Sequence, residues 1–313
     1  MKSNSKPIHC CQVCKSKKLE NILFVGYMPP VNTMSPIGST PKEEPSYPLE
    51  LLRCNNCGLV QIGFEVAPEL LFPESYPYLS GTTKILKENF ADLFEETKDL
   101  IDLDLQNLVV DIGSNDGTLL YNFLSKGFKV LGIEPSQAAD VANKNGIETL
   151  KTYFNLKTAQ DVGIKYGKAK LISAANVFAH IGDIHSVVDG VVELLDETGV
   201  FVTESHYLMD LINTIQYDTI YHEHLRYYSL RSLIHLFSAH ELEVFHVKLI
   251  PTHGGSIRVF AGRKGKYEIL PSVDKQLVAE DTSGLTDGTL LHDFRHNVIN
   301  SRNNLHKLIA QIK

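Results

Sequence analysis

Tyr221-His-Glu-His224 is the densest set of titratable side chains in this 313-residue chain; Tyr227 and Tyr228 follow at once, and His206 and Tyr207 lie a little upstream. Imidazole titrates near neutrality, so a positioned histidine can take a proton without first being desolvated. A neighbouring carboxylate fixes its tautomer and raises its basicity. Alternate side chains of an extended segment share a face, which pairs His222 with His224 and Tyr221 with Glu223. This pattern suits acid–base work; a second metal site using His222, Glu223 and His224, or a polar structural turn, is the alternative. A further constellation, His253-Gly-Gly-Ser256-Ile-Arg258, can offer backbone amides and a guanidinium to an anionic ligand such as a phosphate. Its bland reading is a glycine turn between two strands with Arg258 solvated.

The five cysteines, Cys10, Cys11, Cys14, Cys54 and Cys57, all lie in the first fifth of the chain. Cys11-Gln-Val-Cys14 and Cys54-Asn-Asn-Cys57 are matched C-x-x-C pairs. The two-residue gap lets both thiolates of a turn point at one ion, and two such turns complete a tetrahedron. Gly58 follows the second pair, where a knuckle turn often needs positive φ. The pattern predicts a structural zinc ion with no open position for catalysis. Neither pair opens a helix after a strand, which disfavours a redox role. Cys10 is either a substitute for Cys11 or a bystander.

Asp111-Ile-Gly113-Ser-Asn115-Asp-Gly117 follows an apolar run and opens a helix. Glycines there let the backbone approach a ligand at the end of a strand. The spacing differs from the G-x-G-x-x-G of dinucleotide folds. Glu134 ends the next strand, where an acid can accept hydrogen bonds from both hydroxyls of a ribose. Together these point to S-adenosylmethionine, ahead of a dinucleotide or an empty structural loop. Asn176 and His180, in Asn-Val-Phe-Ala-His, follow the fourth strand and would project from the same sheet edge. On their own they read equally as an Asx-turn and a half-buried histidine.

The elements that must position these groups are legible as strand–helix alternation from about residue 107, in LVVDIG, GTLLYNFLSKG, KVLGIEP, LISAANVF and GVFVTES. Such alternation implies an α/β fold with a parallel, doubly wound sheet. Four regions follow: a zinc-binding module over 1–70, a linker and helix over 71–106, the nucleotide-type domain with its catalytic insertion over 107–264, and a C-terminal extension over 265–313. The extension ends in an amphipathic helix carrying Phe294, Val298, Leu305, Leu308 and Ile312 on one stripe. Its exposed part would need a cover, which suggests a homodimer. The apolar fraction (43%) and charged fraction (21%) are those of a soluble globular protein. A net charge of −7 argues against a nucleic-acid binder with a broad basic face. No segment approaches the roughly 18 apolar residues of a membrane span, and the N-terminus carries no secretion signal. The expectation is a cytoplasmic protein.

The order of motifs resembles that of the sugar C-methyltransferases acting on nucleotide-linked keto-deoxysugars, the group that includes the TDP-sugar C-3-methyltransferases. The resemblance runs from Cys11 to about Ile312. It rests on C-x-x-C…C-x-x-C-G-L-V-Q, Tyr76-Pro-Tyr78-Leu-Ser80, DIGSNDG, Glu134-Pro-Ser136, NVFAHI, YHEH and HGGSIR. It implies a Rossmann-like methyltransferase sheet behind a small zinc module. It implies that His224 removes the proton next to a ketone, assisted by Glu223, Tyr221 and His180, with Tyr76 or Tyr78 lining the pocket. Asp111, Gly113, Asn115, Gly117, Glu134 and Asn176 would hold S-adenosylmethionine. His222, His253, Ser256 and Arg258 would face a small-molecule acceptor, a nucleotide-linked sugar. Relatives of this kind continue with a further Rossmann-like segment that opens on a Gly-rich turn. No such turn follows the last helix here, so the family's C-terminal domain is expected to be missing, or supplied by a partner chain.

Overall fold

The computed structural model describes residues 5–32, 37–40, 42–72 and 79–312. The N-terminal module comprises β1 (Lys6–Pro7), β2 (Leu19–Met28), β3 (Tyr47–Cys54), β4 (Val60–Ile62), β5 (Phe64–Glu65) and the short helix α1 (Pro68–Leu71). β2, β3 and β4 form an antiparallel meander, and β1 pairs with β5. Helix α2 (Lys84–Leu100) then leads into the larger domain. Leu86, Phe90, Leu93 and Phe94 bury one face of this helix, as their spacing predicts, while Ile85 lies outside the stripe and is exposed.

The larger domain runs β6 (Leu108–Ile112), α3 (Thr118–Leu124), β7 (Lys129–Ile133), α4 (Ala138–Lys144), β8 (Thr149–Leu150), α5 (Leu156–Tyr166), β9 (Ala169–Ala175), α6 (Ile184–Leu194) and β10 (Leu195–His206). It continues with α7 (Leu208–Asn213), β11 (Arg226–Tyr227), α8 (Leu230–Ser238), β12 (Leu242–Ile250), β13 (Ser256–Arg263), α9 (Pro271–Thr282) and α10 (Thr289–Ile312). Its seven-stranded sheet has the order β12-β13-β10-β9-β6-β7-β8. β8, β7, β6, β9 and β10 are parallel, and β13 is antiparallel to both β10 and β12. Every residue of β6 is buried, which is why it reads as a near-continuous apolar run. One face packs on α2 and α3 through Phe94, Leu119 and Phe123, the other on α5, α6 and α8 through Val162, Val188 and Leu233. The fold is thus the doubly wound α/β arrangement the alternation predicts.

From β6 the chain winds outward to β7 and β8, then returns to lay β9 on the other side of β6. Such a reversal opens a crevice at the carboxyl ends of the two central strands, where open α/β sheets bind their ligands. The DIGSNDG turn leaves β6 at this point, and Asn176 leaves β9.

The N-terminal module does not close on its own residues. β11 pairs antiparallel with β4, matching Arg226 with Gln61 and Tyr227 with Val60, so the four-stranded sheet runs β11-β4-β3-β2. Ile22, Leu51, Val60 and Ile62 share a core with Leu208, Leu211, Ile220 and Phe294. Helix α10 buries Leu291, Phe294 and Val298 there, while Leu305, Leu308, Ile309 and Ile312 in its second half are exposed. Among the described residues no helix is long and apolar enough to cross a membrane.

Candidate active site

The four sulfurs of Cys11, Cys14, Cys54 and Cys57 lie within 4.8 Å of one another. Cys11 Sγ is 3.5 Å from Cys57 Sγ, and Cys14 Sγ is 3.5 Å from Cys54 Sγ. A zinc ion bonded to four thiolates sets them about 3.8 Å apart, given Zn–S bonds of about 2.3 Å. The donor set therefore fits zinc, and none of the cysteines is in a disulfide. Each knuckle is preorganised by its backbone. The Cys14 and Asn56 amides point at Cys11 Sγ and Cys54 Sγ, and Gly58 takes the expected positive φ of 74°. The hydrogen bond from Cys57 holds the Cys11 thiol below its ordinary value. Cys10 is outside the cluster; its carbonyl accepts a bond from Gln61 Nε2.

At the switch point Gly113 has φ 69°, and a Cβ there would meet Val177 Cγ2 at 2.7 Å, so the turn can pack against the Asn176 loop only as glycine. Gly117 caps α3 in the left-handed region. Asn115 and Asn176 adopt φ of 51° and 58°, and His253 takes 54°. These are three of the six non-glycine residues with positive φ among the described residues, a concentration of backbone strain typical of functional loops. The Asn115 side chain accepts from the Ser80 amide at 2.9 Å, and Asp116 accepts from the Gly81 amide at 2.8 Å, which ties the linker to the turn.

Asp111 is 3% exposed and bonds to Ser173 Oγ at 2.6 Å. Burial first, then the charges of Glu134 and Glu204, push its carboxyl up to about 7. A buried acid with no cationic neighbour among the described residues fits a positively charged ligand such as a sulfonium with its amino group. Glu134 accepts from the Asn115 amide at 3.0 Å and the Ser136 amide at 2.8 Å. Two of its roughly four acceptor positions stay open for a ribose.

The histidines gather beyond this edge. The His224 N–H donates a bond to the Tyr221 carbonyl at 3.0 Å, closing a turn and bringing both side chains to one side. Tyr221 Oη is 3.0 Å from His224 Nε2, and His224 Nδ1 is 3.1 Å from the Thr219 carbonyl. A carbonyl can only accept, so Nδ1 carries the proton and the Nε2 lone pair accepts from the tyrosine. Burial, then the neighbouring His180, hold the His224 pKa well below the ordinary imidazole value. The ring is neutral at pH 7. The His180 ring sits 4.9 Å from it, with its Nδ1 2.9 Å from the Glu223 carbonyl. Burial lowers His180 to about 4. The Glu223 carboxylate receives a bond from Asn32 Nδ2, so the N-terminal module reaches this wall of the site.

Several sequence expectations need correcting. Residues 221–224 form a turn, not an extended segment, so the face-sharing reverses: Tyr221 joins His224. His222 points away, bonding the Pro48 carbonyl at 3.2 Å and lying edge-on to Tyr47, which removes it from an acceptor site and from a second metal site. Arg258 is fully buried and spent on Glu204, Asp92, Glu96 and Asn89; Ser256 bonds the Thr252 carbonyl. Neither is free to hold an anion. His253 remains exposed beside the bond between Gln216 Nε2 and the Gly254 carbonyl. Tyr76 and Tyr78 lie outside the described residues. Sequence reasoning gave no role to His206, whose Nε2 bonds Gln216 at 3.0 Å, or to Asn32, and no local pattern marks either.

Family models match three stretches of the chain: a zinc binding domain over 11–72, a methyltransferase domain over 83–247 and a C-methyltransferase C-terminal domain over 251–313. The last overturns the expectation that the C-terminal domain is missing: β13, α9 and α10 fall within its match. The chain is 33% identical over 291 residues to the C-methyltransferase NovU of Streptomyces niveus, covering 92% of this chain and 69% of that protein. A solved S-adenosylmethionine-dependent methyltransferase from Anabaena variabilis aligns at 17% identity and a TM-score of 0.46, over 61% of this chain and 89% of its own. The magnesium protoporphyrin IX methyltransferase of Synechocystis, solved with bound S-adenosylhomocysteine, gives 15% identity and 0.43, over 57% and 82%. By its identity to a C-methyltransferase over nearly its whole length and its three family matches, the chain belongs to the C-methyltransferase family and is an S-adenosylmethionine-dependent methyltransferase.

Proposed function

We propose that the chain methylates a carbon next to the ketone of a nucleotide-linked keto-deoxysugar, with His224 as the base. The observation that carries the reading is the fixed tautomer of His224. Its proton is committed to Thr219, and its Nε2 lone pair faces Tyr221 in a half-buried site. A carbon acid needs such a group, because methyl transfer to carbon requires a carbanion equivalent. S-adenosylmethionine, when bound at the β6–β9 crevice, supplies the electrophilic methyl group.

In this reading Asp111, Gly113, Asn115, Gly117, Glu134 and Asn176 form the donor site. The acceptor displaces the Tyr221 hydroxyl from Nε2. His224 Nε2 then takes the proton from carbon, and the C–H electron pair becomes the enolate that bonds the methyl carbon as the methyl–sulfur bond breaks and its electron pair stays on the donor's sulfur, which leaves as a neutral thioether. Tyr221, released from Nε2, donates to the enolate oxygen, while His180, whose Nδ1 proton is committed to the Glu223 carbonyl, orients the turn, and Glu223 holds it through that carbonyl and its bond to Asn32. His224 afterwards returns the proton to water. His253 lines the acceptor side, and the family resemblance assigns a further pocket role to Tyr76 or Tyr78.

Purified protein incubated with S-adenosylmethionine and a panel of nucleotide-linked 4-keto-6-deoxysugars should give a product one methylene heavier. In deuterated water without the methyl donor, the acceptor should exchange the proton next to its ketone. His224→Asn should lower both rates by about 10²–10⁴-fold while leaving donor affinity unchanged. Methylation at oxygen, or an exchange rate indifferent to His224→Asn, would remove the enolate route.

A further inference from the structure

Arg226 is 1% exposed, and among the described residues no carboxylate pairs with it. A buried guanidinium is costly unless all its donors are used. Here five N–H groups meet five neutral acceptors. Nε donates to Tyr228 Oη at 2.9 Å, and Nη1 to Gln12 Oε1 at 2.6 Å and the Gly182 carbonyl at 3.4 Å. Nη2 donates to the Phe178 carbonyl at 3.4 Å and to the Ile181 carbonyl.

Apart from Tyr228, two residues along the chain from Arg226 itself, these acceptors belong to two places. Gln12 sits between the zinc-site residues Cys11 and Cys14, and its own amide donates to Gln61 Oε1 at 2.8 Å. Gln61 is fully buried and stands opposite Arg226 in the β4–β11 pair. The three carbonyls belong to residues 178–182, the loop that carries His180. The backbone of the same loop is gripped twice more from the 223–228 side. The Leu225 amide donates to the Ala179 carbonyl at 2.9 Å, and Tyr228 Oη to the Phe178 carbonyl at 3.4 Å.

We infer that Arg226 is a positioning residue: clamped by Gln12 of the zinc knuckle, its guanidinium sets the backbone of the His180 loop against the His224 turn. The zinc module thereby acts on the chemistry through geometry, at a distance from any reacting atom. The planar, five-donor fork is what the task needs, since lysine offers a single point of attachment. This rests on the acid–base reading of His180 and His224, so the test includes a readout independent of any acceptor.

The test compares full-length Gln12→Ala, Gln12→Glu and Arg226→Lys proteins. Gln12→Ala leaves the buried arginine in place and guards against misfolding. Bound zinc and S-adenosylmethionine affinity should match the wild-type protein. Amide hydrogen exchange over residues 177–182 should accelerate about tenfold, the loss of one hydrogen bond of ordinary net strength. Acceptor kcat should fall with KM little changed. Gln12→Glu, which keeps the accepting oxygen, should return both toward wild type, and Arg226→Lys should behave like Gln12→Ala. Unchanged exchange over 177–182, exchange that rises only with loss of zinc, or faster exchange with unaltered kcat would each overturn the assignment. Should no tested acceptor be methylated by the wild-type protein, the proposed substrate fails, and the exchange and zinc measurements still decide the clamp.

Discussion

Arg226 and Arg258, the two fully buried arginines among the described residues, are held by opposite means. Arg258 of β13 is surrounded by charge: Glu204 at 2.7 Å, Asp92 at 2.8 Å, Glu96, and the Asn89 side chain at 3.0 Å. Its partners lie on α2 and β10, so it rivets a helix to two strands. Arg226 is surrounded by dipoles, and most of its partners are carbonyls of one loop. Carboxylate partners reward proximity and tolerate rearrangement, because Coulomb attraction falls slowly with distance. Carbonyl partners reward one backbone conformation, because hydrogen bonds are directional. The first arrangement holds elements together and the second fixes the shape of a loop.

Breaking the charged arrangement should cost most. Arg258→Ala strands Glu204 without a counter-charge, and about 3–5 kcal/mol of unfolding free energy should be lost in urea titrations. The pair Arg258→Met with Glu204→Leu should recover more than half of that, since no fully buried charge is left alone. Full loss in the double variant would show that the rivet works by shape and not charge.

The same sheet offers a buried acid with no arginine at all. The Asp111 carboxyl is raised to about 7, above its ordinary 3.8, so the folded protein binds this proton more tightly than the unfolded chain. Its contribution to stability is full below about pH 4 and is lost as pH rises through about 7. Asp111→Asn should therefore stabilise the ligand-free protein at pH 8, on the order of 2–4 kcal/mol, and do nothing at pH 4. Equal melting-temperature changes at both pH values would contradict the assignment. Arg226→Gln should cost less than the loss of Arg258, about 1–3 kcal/mol, since it leaves carbonyls unpaired and no stranded charge. Smallest is His222→Gln, where one hydrogen bond to Pro48 is at stake. A change of about 1 kcal/mol or less, with donor affinity intact, is expected from thermal unfolding.

The sheet and the cysteine module were readable because their signals are local and periodic. A C-x-x-C pair states its own geometry, and β6 announces burial in five consecutive residues. The Asp111–Gly117 turn and Glu134 follow from strand ends, which periodicity also marks. His222 was misplaced because the parity argument assumed a strand. The turn at 221–224 is imposed by the Thr219 carbonyl and by Leu225 pairing with Ala179, neither visible in the four letters. Arg258 looked like an anion binder because Gly254-Gly255 stands before it. Its true partners are 54 to 169 residues away in the chain. The Gln12–Arg226 contact spans 214 residues, beyond any local pattern.

That β11 completes the module's sheet has a consequence for how the protein is made. At about 5–20 residues per second, the ribosome needs roughly 10–40 s to travel from Gln12 to Arg226. Zinc can gather the knuckles early in that interval, but the edge of β4, once made, waits for its partner until the interval ends, and open edges invite pairing with foreign strands. Completion of the smaller sheet is thus a late event of biosynthesis, and scarce zinc during translation should show first as aggregation of nascent chains.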